Sequence, residues 1–151
     1  MQNGNLAPDF VLPDQDGEFR RLSTMLEAGP IVLFFYPAAL SLACTRESCH
    51  FRDLAGEFDA LGAQRVGISM DAVERQSAFS SRHAIDYPLL ADVHGAVARA
   101  YGVKRPLDLL KVKRSTFVIG SDQRIIEVVT SEFDMERHAD RALAALRRTS
   151  R

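Results

Sequence analysis

Little in this sequence marks it for a polymer or a membrane. Lysine and arginine (19) nearly balance aspartate and glutamate (20), leaving a formal net charge of −1. No broad basic field exists to draw nucleic acid or anionic lipid. No apolar run approaches the ~20 residues that cross a bilayer. The opening Met1-Gln2-Asn3-Gly4-Asn5 has neither the basic start nor the apolar stretch of a secretory leader. Internal repeats and low-complexity tracts are missing, which excludes solenoids and long linkers. Cysteine is scarce, with Cys44 and Cys49 alone, so the dense disulfide framework of small secreted scaffolds is excluded. The absences together lead to the expectation of a cytoplasmic protein without nucleic-acid or membrane partners. In a reducing compartment, a close pair of cysteines points to transient redox chemistry or metal binding.

What is present suits one domain, residues 1–151: 46% apolar and 26% charged residues make an ordinary globular composition. Residues 30–36 form a continuous β-branched and aromatic run, the pattern of a strand buried on both faces. Residues 66–70 and 116–119 look similar, and 124–130 predict a further strand after the turn residues Gly120-Ser121-Asp122-Gln123. Residues 9–12 and 19–22 flank Asp14-Gln15-Asp16-Gly17 and predict an N-terminal hairpin. Phe51, Leu54, Phe58 and Leu61 recur at helical spacing after Cys44, and Met135, Ala139, Ala142, Leu143 and Leu146 do so near the C-terminus. Residues 71–84 predict a helix with Asp71 as N-cap, and 93–101 a shorter one ended by Gly102. Strands alternating with helices, then a hairpin and a closing helix, define a mixed α/β layered domain.

The two cysteines sit where the 30–36 strand hands over to a helix. There, backbone N–H groups and the positive end of the helix dipole favour thiolate, the nucleophilic form of cysteine. Steps of ~100° per residue put Phe51 and Phe58 on the face of Cys44, which therefore points toward the core. Cys49, five positions on, is turned by ~140° toward the wetter side with Arg52 and Asp53. In an intact helix their Cα atoms lie about 8–9 Å apart, beyond the roughly 7 Å a disulfide tolerates. A bond between them requires local unwinding, which fits a bond that forms and breaks. Thioredoxin-type exchange uses Cys-x-x-Cys, which is not the spacing here. A thiolate oxidised to sulfenic acid, then condensed with a second thiol, needs one recessed and one accessible cysteine.

The motif Pro37-x3-Ser41-x2-Cys44 resembles the active-site signature of peroxiredoxins. The run Cys44-Thr45-Arg46-Glu47-Ser48-Cys49-x-Phe51-Arg52-Asp53 is similar to that of the Q-type branch, also called bacterioferritin comigratory protein. Leu6-Ala7-Pro8-Asp9-Phe10, Asp16-Gly17, Tyr87-Pro88-Leu89-Leu90-Ala91-Asp92 and Arg114-Ser115-Thr116-Phe117-Val118-Ile119 extend the resemblance over nearly the whole chain. It implies a thioredoxin-like fold: a central mixed β-sheet flanked by helices, with an N-terminal β-hairpin extension. It implies that Cys44 is the peroxidatic and Cys49 the resolving cysteine of a thiol peroxidase acting on hydrogen peroxide and organic hydroperoxides. Ser41 would hydrogen-bond the peroxide and Arg114 would hold the thiolate and transition state. Pro37 would shield the pocket and Glu47 would orient Arg114. A thioredoxin-like dithiol protein would restore the thiols, with no metal, haem or flavin, in a monomer or weak homodimer. Two departures stand out: Ser41-Leu42-Ala43 replaces the branch's usual Thr-Pro-Gly, and residues 101–113 are shorter and less glycine-rich than the resemblance implies.

Plainer readings accompany each residue. Ser41 alone reads as a helix-entry cap, Arg114 as a solvated strand-edge charge, Glu47 as a first-turn acid placed by the helix dipole, and Pro37 as a strand terminator. Cys44 and Cys49 could be inert core residues, or join His50 in a zinc site that lacks a fourth ligand of recognisable spacing. His50, His83, His94 and His138 are scattered and receive no chemical role. The rival functions are a redox sensor that uses the same disulfide switch without significant turnover, and a general disulfide reductase, which the missing Cys-x-x-Cys disfavours.

Overall fold

The run Ile-Val-Leu-Phe-Phe forms strand β3 (Ile31–Phe35), and all five residues are buried. Successive side chains of a strand point to opposite faces. Ile31, Leu33 and Phe35 accordingly enter one hydrophobic core, while Val32 and Phe34, with Tyr36 beyond the strand, enter a second. A computed structural model describes residues 1–106 and 111–149.

Around β3 the sheet runs β5-β4-β3-β6-β7. Strand β4 (Gln64–Ser69) pairs parallel with β3, with Ile31 opposite Gln64, and β5 (Leu89–Ala91) pairs parallel with β4. Strand β6 (Ser115–Ile119) runs antiparallel on the other side of β3, and β7 (Ile125–Thr130) closes that side as a hairpin. Parallel neighbours need crossover connections. Helices α2 (Leu42–Asp53) and α3 (Ala55–Ala60) join β3 to β4, and α4 (Val73–His83) joins β4 to β5. Helix α6 (Met135–Thr149) packs its stripe of Ala139, Ala142, Leu143 and Leu146 into the second core beside Phe51 and Phe58. The first core is covered by the N-terminal segment, by the single-turn α1 (Leu22–Met25) and by α5 (Ala96–Ala100). A separate hairpin pairs β1 (Val11–Pro13) with β2 (Phe19–Arg21). Buried Asp14 organises its turn by accepting from the N–H groups of Asp16 and Glu18 at 2.8 and 3.1 Å. The mixed sheet, flanking helices and N-terminal hairpin are those of the expected thioredoxin-like fold.

Several local expectations change. The stripe from Phe51 to Leu61 spans two helices, because Leu54 (φ −94°, ψ 17°) ends α2 and α3 begins at the next residue. The apolar period survives the break, with Phe51 and Phe58 stacked 5.8 Å apart. Asp71 does not cap α4: Ala72 is the N-cap, and no side chain bonds there. The Asp71 carboxylate instead accepts from the Ala39 N–H and the Ser69 hydroxyl, both at 2.7 Å. It thereby ties the loop after β3 to the end of β4. The helix of residues 22–25, the 3-10 turn that follows it and the three-residue β5 are short, and no periodic signal marks them. No helix among the described residues is long and apolar enough to cross a membrane.

Candidate active site

Helix α2 starts at Leu42, so Ser41 is its N-cap, with extended backbone (φ −76°, ψ 154°). The Ser41 hydroxyl accepts from the Cys44 N–H at 3.3 Å and donates to the Ala38 carbonyl at 3.0 Å. Its own carbonyl accepts from the N–H and the hydroxyl of Thr45. The plain reading of Ser41 as a helix-entry cap is therefore what the geometry displays, and it also fixes the approach to Cys44. Leu40, just before it, has φ +67°, a left-handed backbone uncommon for a branched residue. Pro37, two residues beyond β3, is buried.

Cys44 is in the first turn of α2, 1% exposed, in the same core as Phe51 and Phe58. Cys49, on the same helix, is partly exposed, and both cysteines are free. Helix α2 is continuous through both positions, so the pair is held at the Cα separation of an intact helix, about 8–9 Å. The recessed and accessible positions are as the helical stepping predicted.

Arg114 enters from the other side, one residue before β6. It is 4% exposed. Its guanidinium donates through Nη2 to Cys44 Sγ at 3.1 Å and through Nη1 to Glu47 Oε1 at 2.9 Å. Its backbone N–H donates to Glu132 at 3.2 Å, and Glu132 is held in turn by Arg105 at 2.7 Å. Nε of Arg114 is buried without an acceptor among the described residues. Burial works against the charge of Arg114, but Glu47 and Cys44 outweigh it and hold its pKa above the ordinary value. A fixed cation with spare donors beside a sulfur can stabilise negative charge that develops on an attacked group.

Glu47 departs from the expectation of a first-turn acid. It lies a turn further along α2, fully buried, bonded to Arg114 rather than placed by the dipole. Burial pushes its carboxyl up to about 8, against the pull of Arg114. Its second oxygen, Oε2, lies 3.5 Å from His138 Nε2. His138 projects from the inner face of α6 and is held between Thr116 Oγ1 and the Ser131 carbonyl, both at 2.8 Å. Burial lowers its pKa. His138 and Thr116 were not foreseen as site residues. The signal for the histidine was its place on the stripe of Met135, Ala139 and Ala142, the face α6 buries. His50 turns outward to Asp140 at 2.9 Å rather than toward the cysteines. Of the segment 101–113, residues 107–110 lie outside the described residues.

The fold, with a buried cysteine bonded to an arginine just ahead of β6, is that of a thiol-dependent oxidoreductase of thioredoxin-like architecture. The AhpC/TSA family profile matches residues 3–128, and the chain belongs to that family, among the Q-type peroxiredoxins. It is 55% identical to peroxidoxin BcpB of Mycobacterium tuberculosis, whose crystal structure superposes with a TM-score of 0.93 over 98% of this chain and 97% of that one. It is 33% identical over 146 residues to the chloroplastic peroxiredoxin Q of Gentiana triflora, covering 97% of this chain and 67% of the relative. The bacterioferritin comigratory protein of Xanthomonas campestris, 28% identical, superposes with a TM-score of 0.86 over 94% and 92% of the two chains. Membership of the family makes the protein a thiol peroxidase.

Proposed function

We propose that the protein reduces hydrogen peroxide and organic hydroperoxides through Cys44 and Cys49, with recycling by a thioredoxin-like dithiol protein. The contact between Arg114 Nη2 and the buried Cys44 Sγ, 3.1 Å, carries this reading. The Cys44 thiolate attacks one peroxide oxygen: the S–O bond forms, the O–O bond breaks, and the departing oxygen takes a proton and leaves as water or alcohol. Arg114 stabilises the charge shifting from sulfur to oxygen. Ser41 and the helix start present hydrogen-bonding groups to the same peroxide, while Pro37 screens it from water and Glu47 aims the guanidinium. The sulfenic acid on Cys44 then condenses with the Cys49 thiol, releasing water and forming a disulfide.

Disulfide formation requires α2 to open between residues 44 and 49. The bond that must yield is the one from the Tyr87 hydroxyl to the Ser48 carbonyl at 2.6 Å, while Arg65, donating to the Phe51 carbonyl at 3.0 Å, holds the helix just beyond. External reductant then attacks the accessible sulfur of Cys49.

Peroxide consumption coupled to thioredoxin and thioredoxin reductase tests the scheme. Cys44→Ser is expected to be inactive, whereas Cys49→Ser oxidises once and recycles poorly. Full turnover in Cys44→Ser overturns the assignment. Oxidation of both cysteines with negligible turnover in the wild type favours a redox sensor instead.

A further inference from the structure

An imidazole closes the far end of the chain of contacts that begins at Cys44. His138 Nε2 lies 2.8 Å from the Ser131 carbonyl, which can only accept, so this nitrogen carries a hydrogen. Nδ1 faces the Thr116 hydroxyl at 2.8 Å. That hydroxyl can donate to a bare Nδ1 or accept from a protonated one, so either state of the ring is served. Glu47 Oε2, 3.5 Å from Nε2, has no hydrogen-bond partner among the described residues.

With Cys44 as thiolate, the group has a proton to place. A thiolate, a guanidinium and an ionised carboxylate sum to −1 if the imidazole is neutral. Cys44, Glu47 and His138 are at most 1% exposed and Arg114 is 4% exposed. An uncompensated charge in such a place is costly. One additional proton on Glu47 or on His138 brings the sum to zero. The opposite displacements of the two groups by burial, Glu47 upward and His138 downward, agree that the pair does not stand as two separate ions.

We propose that His138 is a positioning residue of the peroxidatic site, holding one proton jointly with Glu47 while Cys44 is a thiolate, so that Arg114 stays committed to the sulfur. The proposal rests on Cys44 being the reactive sulfur. The other charged or titratable groups around the pair are engaged elsewhere: Glu132 with Arg105 and the Arg114 N–H, Asp134 with the Arg137 N–H, and Tyr87 with the Ser48 carbonyl. When rising pH strips the shared proton, the full carboxylate competes with the sulfur for the guanidinium. The rate constant of peroxide attack should then descend on the alkaline side.

Two measurements test this. The first titrates the pair by NMR in protein labelled at glutamate carboxyl carbons and histidine nitrogens, comparing reduced wild type with Cys44→Ser. Serine carries no charge, so the shared proton is no longer required. Its midpoint should fall by about one pH unit or more, a tenfold change in proton affinity; equal midpoints overturn the proposal. The second follows Cys44 oxidation against pH in a Cys49→Ser background, with and without His138→Gln. Glutamine donates an N–H but cannot share the proton. The descending limb should move to lower pH by about one unit, a roughly tenfold slower reaction at fixed alkaline pH. An unmoved limb, or none in the parent protein, overturns the proposal. If His138→Gln does not fold, the NMR comparison decides alone. Peroxide turnover by Cys44→Ser would instead strike the reading of Cys44, which separates the two failures.

Discussion

Replacing Arg114 with alanine removes a guanidinium bonded to both Cys44 Sγ and Glu47 Oε1. Two unit charges ~4 Å apart attract by about 4 kcal/mol at an effective dielectric of ~20. Only the part that grows as charge moves from sulfur to the departing oxygen lowers the barrier. Removing one such preorganised donor typically costs about 2.7–4 kcal/mol, or ~10²–10³ in rate. The fold should suffer less. A buried carboxylate stripped of its partner costs about 3–5 kcal/mol, but Glu47, pushed up to about 8, escapes by taking a proton. Near pH 6 the stability loss should stay below about 2 kcal/mol, the scale of one or two lost hydrogen bonds. The assay is the second-order rate constant of Cys44 oxidation in a Cys49→Ser background. Timed samples are quenched with an alkylating reagent and read by mass, since the chain has no tryptophan to report by fluorescence. Urea unfolding on the same protein supplies the stability term. A rate within about threefold of the parent refutes the reasoning, because it leaves less than ~1 kcal/mol for the donor to have supplied.

Stability of the reduced protein should fall with rising pH between about 6.5 and 8. Glu47 holds its proton up to about 8 when folded but only to about 4.3 when unfolded, so the folded state binds the extra proton across that interval. The slope reaches up to about 1.4 kcal/mol per unit. Below about 6.5, His138, whose folded pKa is lowered by burial, contributes an opposite slope. Glu47→Gln should flatten the decline in denaturant unfolding measured across that range; a persisting slope assigns it elsewhere. Tyr87→Phe deletes the hydroxyl held on the Ser48 carbonyl. The lost bond, about 1 kcal/mol, should quicken disulfide closure after a peroxide pulse by up to ~5-fold, and unchanged or slower closure by mass would count against α2 opening there. Gly29 has φ +135°, and a Cβ on it would lie 2.3 Å from the Gly62 carbonyl oxygen. Gly29→Ala should therefore cost more than ~3 kcal/mol, and an unaltered melting temperature would contradict the close approach.

The central sheet was legible because β3 is a continuous apolar run and β4 and β6 carry shorter apolar stretches, Val66–Ile68 and Phe117–Ile119, all buried. Cys44 was legible from its place at a helix mouth, and its pairing with Arg114 from the family resemblance, which the separate segment Arg114–Ile119 extends. What stayed hidden depends on which helix lands on which. Glu47 beside Arg114 was implied by the resemblance, but its residue type and position alone read as a dipole-stabilising acid, and its burial against His138 shows only when α2 is seen packed on α6. His138 reads as one scattered histidine until the apolar face of α6 is seen to carry it inward. Asp71 has the residue type of a cap, but a better use of its carboxylate lay in the loop after β3, a tertiary contact that local propensity does not register. The break at Leu54 leaves the apolar period intact, so periodicity alone could not reveal it.

Seventy positions of sequence separate Cys44 from the guanidinium bonded to it, and they meet only once β6 has docked beside β3. On the mechanism proposed above, an unfinished chain has Cys44 but lacks the guanidinium that would assist its attack on peroxide. Fast reaction with peroxide should therefore arrive only with the completed sheet, so that synthesis and oxidation are kept apart in time.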